Sequence, residues 1–178
     1  MKKVLLLLLL SCFIFAIPCE AKKKPKGEVS VELTPSNSST TTFRDSIITV
    51  DVRTDWSGNF FKVNIHNNTQ GRIYVEWENA RIDGNKVLFS DDRPITMNQK
   101  KEDEVIMVGD MIYGKEITSK GKYYDSLGLL PLYKEKEMKK NGREYTYTFI
   151  LPIRLADGST RDYKFNVRIF YKITEPVE

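Results

Sequence analysis

Alternation of apolar and polar side chains between Phe60 and Phe89 constrains the fold more than any other feature of this chain. Phe61, Val63 and Ile65 interleave with Lys62, Asn64 and His66, the period of two of a strand with one face in a core. Asn67-Asn68-Thr69-Gln70-Gly71 follows. These residues tolerate positive φ or bond to their own backbone, so the chain reverses there. Ile73, Val75 and Trp77 then point one way, and Arg72, Tyr74 and Glu76 the other.

The same pattern extends on both sides. Val29, Val31 and Leu33 alternate in a first strand that ends at Thr34-Pro35, and Ile48, Val50 and Val52 alternate in a second. Ala80-Arg81-Ile82 runs into a two-residue turn at Gly84-Asn85, flanked by Asp83 and Lys86, and returns through Val87-Leu88-Phe89. Val105 to Val108 reads as a further strand. At the end, Tyr145, Tyr147, Phe149, Leu151 and Ile153 share one parity, as do Tyr163, Phe165, Val167, Ile169 and Tyr171. Asp157-Gly158 between them signals a hairpin. Pro152 lacks an amide donor, which suits an edge position or a bulge.

Residues 110–143 break the rhythm and read as one long connection within the domain. It carries Tyr123, Tyr124, Leu129, Leu130 and Tyr133, together with the charge run from Lys134 to Lys140. Glu135 to Lys140 has room for one helical turn. No strong helical period occurs elsewhere. The expectation is an all-β chain, an antiparallel β-sandwich of about eight strands spanning 28–174.

Four stretches carry a resemblance. Phe-Lys-Val-Asn-Ile-His-Asn-Asn-Thr at 61–69, Ile73-Tyr74-Val75-Glu76-Trp77, Leu130-Pro131-Leu132, and Asp157-Gly158 with Tyr163-Lys164-Phe165 resemble a loose group of uncharacterised secreted bacterial proteins with an immunoglobulin-like sandwich. The resemblance implies that fold and an exported compartment. It brings no catalytic residues.

The N-terminus points to export as well. Met1-Lys2-Lys3 followed by the apolar run Val4 to Ile17 has the charged start and short apolar stretch of a bacterial signal peptide. Cleavage after Ala21 leaves Cys19 and Ala21 at the positions a signal peptidase reads, so 1–21 is the signal peptide and 22–27 a basic arm. Leu9-Leu10-Ser11-Cys12 and, less closely, Ala16-Ile17-Pro18-Cys19 resemble a lipobox. Lipidation at Cys12 or Cys19 is therefore the alternative, giving a membrane-anchored lipoprotein. Both cysteines of the sequence lie in this segment, so cleavage at Ala21 leaves no thiol for catalysis, metal binding or a disulfide.

The formal net charge of +4 invites a nucleic-acid reading, which its distribution removes. Lys2, Lys3, Lys22, Lys23, Lys24 and Lys26 account for six of the 28 basic residues; beyond them 22 basic residues face 23 acidic ones, with Glu20 set aside. A near-neutral body does not supply the basic face that phosphate neutralisation needs. Contact with a membrane is then expected only through a lipid anchor.

Signals for chemistry are sparse. His66 is the only histidine, at an outward position beside a turn, and no G-x-S-x-G elbow presents a serine to it. Asp91-Asp92 and Glu102-Asp103-Glu104 follow no calcium-loop spacing, and Glu76 and Glu78 flank Trp77 as a pair expected to face solvent. No catalytic residue, metal site or cofactor is expected. The best candidates for binding are Tyr123, Tyr124, Leu129, Leu130 and Tyr133, either as a partner surface or as a plug folded over one end of the core. The function expected is that of an exported envelope protein, a non-enzymatic module that binds an envelope protein or a surface glycan through this segment or by strand addition at a sheet edge. A secreted hydrolase or metal-dependent enzyme on the same fold is the alternative.

Overall fold

In the computed structural model, residues 26–54, 58–91, 99–119, 124–125, 128–129 and 133–175 are described. The expected signal segment, with Ala21, Cys12 and Cys19, lies outside them. The chain divides into two compact units, one of residues 28–172 and one that joins 1–27 with 173–178. The hydrophobic core, from Val31 to Ile169, belongs to the unit of 28–172.

Among the described residues thirteen strands and one helix follow in order: β1 (Lys26–Thr34), β2 (Thr42–Arg44), β3 (Ile48–Thr54), β4 (Phe61–Asn67), β5 (Ile73–Val75), β6 (Arg81–Ile82), β7 (Asn85–Phe89), β8 (Glu104–Ile106), β9 (Met111–Ser119), β10 (Tyr124–Asp125), β11 (Gly128–Leu129), α1 (Glu135–Asn141), β12 (Tyr145–Leu155) and β13 (Thr160–Glu175). Eleven strands form one sheet in the order β1-β13-β12-β6-β7-β9-β4-β3-β2, with β5 on β12 and β8 on β5. The protein is all-β with a short helix, and its antiparallel sheet curls until it is nearly closed like a barrel. Rings far apart in the strand order meet across the interior: Phe43 of β2 lies 5.4 Å from Phe165 of β13, and Phe61 of β4 lies 5.6 Å from Tyr147 of β12.

The alternation read from the sequence sorts the side chains as expected. Phe61, Val63, Ile65, Ile73, Val75 and Trp77 are buried, and so are Tyr147, Phe149, Leu151 and Ile153 with Tyr163, Phe165, Val167 and Ile169. The closing hairpin pairs Tyr145 with Ile169 and Arg154 with Thr160, and its turn carries Gly158 at φ 86°.

Pro152 departs from expectation, because β12 is flanked on both sides. One edge of β12 pairs with β13 throughout, while the other is shared by β6 at Phe149 and Ile150 and by β5 from Ile153. The Pro152 carbonyl accepts from Glu76 N on the second edge. A residue's N and O point to the same side of a strand, so the missing donor falls where β6 hands over to β5 and no ladder bond is lost.

The β6–β7 turn sits one residue earlier than the sequence suggests. Ile82 pairs with Asn85, leaving Asp83 and Gly84 at φ 50° and 77° as the turn, the two positive values of a type I′ hairpin. Asp83 is held there because its carboxylate accepts the Thr148 N–H at 2.7 Å.

The largest difference lies in 110–143. Residues 111–119 are not part of a connection: they form β9, which pairs with both β4 and β7. Its apolar positions conceal it, since Ile112 and Ile117 are both inward yet five residues apart. A register shift opposite Val63 and Ile65, beside Gly114 at φ 62°, inserts the extra residue. The expected strand at Val105 to Val108 is correspondingly shorter: β8 stops at Ile106 and the chain turns, with Asp110 N bonded to Met107 O. Helix α1 runs to Asn141, where Gly142 at φ 63° caps it in the left-handed conformation.

Candidate functional site

The curled sheet does not seal. Its two end strands approach where the Leu33 N–H donates to the Thr40 carbonyl at 2.7 Å, and on the facing edge the Val52 N–H donates to Thr41 O at 3.0 Å. Beyond these bonds the strands part. The opening is a groove of about 730 Å³ lined on one side by Glu28 to Glu32, on the other by Thr40, Thr41, Arg53 and Thr54, and at its rim by Phe170 and Lys172. The inward row of β1 records the parting, since Leu33 is 1% exposed, Val31 8%, and Val29 only half-buried.

The polar walls of the groove are built by neighbouring strands. Asp51 accepts from Thr41 Oγ1 at 2.8 Å, Thr42 Oγ1 at 3.1 Å, Arg53 Nε at 2.9 Å and Asn64 Nδ2 at 3.2 Å, which fixes the β2–β3 wall and answers the Arg53 charge. Opposite, Glu32 accepts from Arg168 Nη1 at 2.7 Å, and Arg168 also holds Glu144 at 2.5 Å. These carboxylates keep the Arg168 guanidinium protonated well beyond its ordinary range, Glu144 contributing more than Glu32. Glu28 makes no ion pair among the described residues.

The residues singled out from the sequence lie elsewhere. Tyr124 and Leu129 pair in the two-residue hairpin β10–β11; Tyr123 and Leu130 fall outside the described residues. Tyr133 is half-buried and packs against the core, and a Cβ on Gly58 would stand 3.0 Å from its ring. Of these five side chains, Tyr133 is the one whose packing is described.

Groups weighed for catalysis are engaged in ion pairs and turns. His66 shares its Nδ1 with Asn68 Oδ1 at 2.9 Å, beside the turn. Glu76 accepts from Arg154 Nε at 2.9 Å, and Arg154 also reaches Asp103 at 2.6 Å. Glu78 pairs with Lys86 and accepts the Lys101 N–H; these bonds hold its carboxyl below the usual range. Glu104 accepts from Trp77 Nε1 at 3.0 Å and meets Lys115 at 3.1 Å. Among the described residues no cluster of three or more metal-ligating side chains occurs.

Sequence reasoning missed one further surface. Val105, Met107, Val108 and Met111 are about half exposed around the β8–β9 turn, and Tyr113 is 82% exposed. The signal was present in Met107-Val108, apolar residues beside a Gly-Asp turn, but it reads as strand unless the turn is recognised. Compared with family models, curated proteins and solved structures, the chain matches none of them.

Proposed function

We propose that this chain is an exported bacterial envelope protein that acts as a non-enzymatic binding module on an immunoglobulin-like β-sandwich. The observation that carries the reading is the unsealed sheet: two strand edges face each other across an open groove, and a strand edge is a template for pairing with another polypeptide. The leader at 1–21 and the resemblance of 61–69 and 157–165 to secreted proteins support the compartment. Rings meeting across the interior support the sandwich. The partner is an envelope protein, with a surface glycan as the other class, and Tyr123, Tyr124, Leu129, Leu130 and Tyr133 form a second contact region.

Two measurements test this. Intact mass of the protein recovered from the envelope distinguishes a free Lys22 N-terminus from a lipid on Cys12 or Cys19; recovery of the chain from cytosol with its leader attached removes export. For binding, a photo-crosslinking amino acid replaces Ser30 in the groove, Tyr113 at the exposed turn, or Asn85 as a remote control. The expected result is an adduct to one envelope component at Ser30 or Tyr113 and none at Asn85, reproduced with the two purified components. Absence of adducts at all three positions would overturn the binding reading.

A further inference from the structure

We infer that the groove between β1 and β3 takes an extended segment of a partner polypeptide, with apolar side chains inward and a basic side chain outward between Glu28 and Glu32. The inference rests on the binding-module reading and specifies its occupant.

Backbone geometry selects a polypeptide. Leu33 directs its N–H across the opening to Thr40, and strand alternation puts the N–H and C=O of Val31 and Val29 on that same edge. On the other edge Val52 reaches Thr41, so the same alternation turns the backbone groups of Thr54 into the groove. No backbone partner on this side is present for Val29, Val31 or Thr54 among the described residues. Donors and acceptors therefore line the β1 wall at strand spacing, with Thr54 adding to them on the β3 wall. An extended chain matches the β1 row, whereas a sugar or a helix offers no matching row. The Glu28 to Glu32 wall is five residues long, about 13 Å at about 3.3 Å per residue, which accommodates a segment of similar length.

Side chains select its sequence. Val29 and Val31 face inward with the exposure gradient of an unfinished core edge, so the inserted strand contributes apolar residues at alternate positions. Outward, Glu28 and Glu32 flank Ser30. An inserted residue opposite Ser30 lies diagonal to both carboxylates, within reach of a long side chain; Glu32 already holds Arg168 at 2.7 Å, so it is Glu28, which makes no ion pair among the described residues, that chiefly favours a lysine or arginine there. Of the two cations that line the groove, Arg53 has its charge met by Asp51 at 2.9 Å, and Lys172 stands on β13, on the far side of β1 from the inserted strand. The same carboxylates disfavour a second copy of this chain: antiparallel pairing of Val29 with Val31 of the copy, which uses both open residues of each edge, sets Glu28 against Glu32.

The test uses the mature full-length protein and two synthetic peptides, Thr-Thr-Val-Lys-Val-Thr-Thr and the same peptide with Glu in place of Lys. Amide chemical shifts and hydrogen exchange are followed during titration. The expected result is saturable shifts and slowed exchange at Val29, Val31 and Thr54, with affinity for the lysine peptide higher by about fivefold. The E28K/E32K variant is expected to reverse that preference. No response at these amides would overturn the inference, and so would equal affinity for the two peptides or a preference unchanged in the variant. An envelope component that crosslinks at Tyr113 and not at Ser30 would remove this occupant while leaving the binding-module reading standing; adducts at neither position remove both.

Discussion

The Tyr163 hydroxyl donates to Asp45 Oδ2 at 2.8 Å, joining residues 118 apart in sequence. The other Asp45 oxygen accepts the N–H groups of Ile47 and Ile48, each at 2.8 Å, so one carboxylate starts β3 and ties it to β13. We expect Tyr163→Phe to cost about 1.5–3 kcal/mol, the range for a hydrogen bond to a charged group. Asp45→Ala removes the turn bonds as well and costs more. Urea unfolding midpoints at constant m-value check both.

That tyrosine also sets an alkaline limit. Burial, and then the neighbouring Asp45 carboxylate, push the Tyr163 hydroxyl above its ordinary value of about 10. A group whose folded pKa is raised contributes stability fully present below its unfolded pKa and lost as pH rises beyond it. We expect stability to fall from about pH 10 upward, and the difference between wild type and Tyr163→Phe to narrow over the same interval. A pH-independent difference would count against the buried, neutral hydroxyl.

Asn67 is 1% exposed, and its amide nitrogen lies 2.7 Å from Gly71 O and 3.1 Å from both Ile106 O and Met107 O, while its oxygen accepts from Thr69. One side chain thus holds the β4–β5 turn against the β8–β9 turn. Asn67→Ala leaves carbonyls without donors, and we expect a loss of about 2–3 kcal/mol. Asn67→Asp is nearly isosteric but aims a carboxylate at three carbonyls, which raises its folded pKa, so its deficit should be larger at pH 7 and shrink as pH falls toward the unfolded carboxyl value of about 4. Thermal melts at pH 4 and pH 7 distinguish the two effects.

Much of the fold was legible in the residues themselves. The inward faces of β3, β4, β5, β12 and β13 follow from strict alternation, which needs no tertiary information. β9 was not legible, because a bulge at Gly114 changes the parity of its apolar residues and only the partner strand reveals why. The same holds for the groove: Val29, Val31 and Thr54 look like any strand residues until the sheet order shows that one edge of each has no partner strand among the described residues. Tyr133 could be recognised as notable, but whether it turned inward depended on Gly58, seventy-five residues away.

Gly58 at φ 73° would bring a Cβ to 3.0 Å from the Tyr133 ring. Gly58→Ala therefore combines a left-handed backbone cost of about 1–2 kcal/mol with displacement of that ring. We expect the second contribution to vanish in a Tyr133→Ala background while the first remains. A double-mutant cycle measures the coupling; zero coupling would mean that the ring does not pack on this turn.

The pairing of β1 with β13 has a kinetic consequence. The first strand of the body finds its neighbour only in the last, so about the full length of the chain must be available before that ladder can form, and contacts of such sequence separation close slowly. During synthesis β1 has no partner until β13 emerges. We expect truncation before Thr160 to leave the nascent chain without a closed core, so that assembly of this molecule begins in earnest only after β13 has been made.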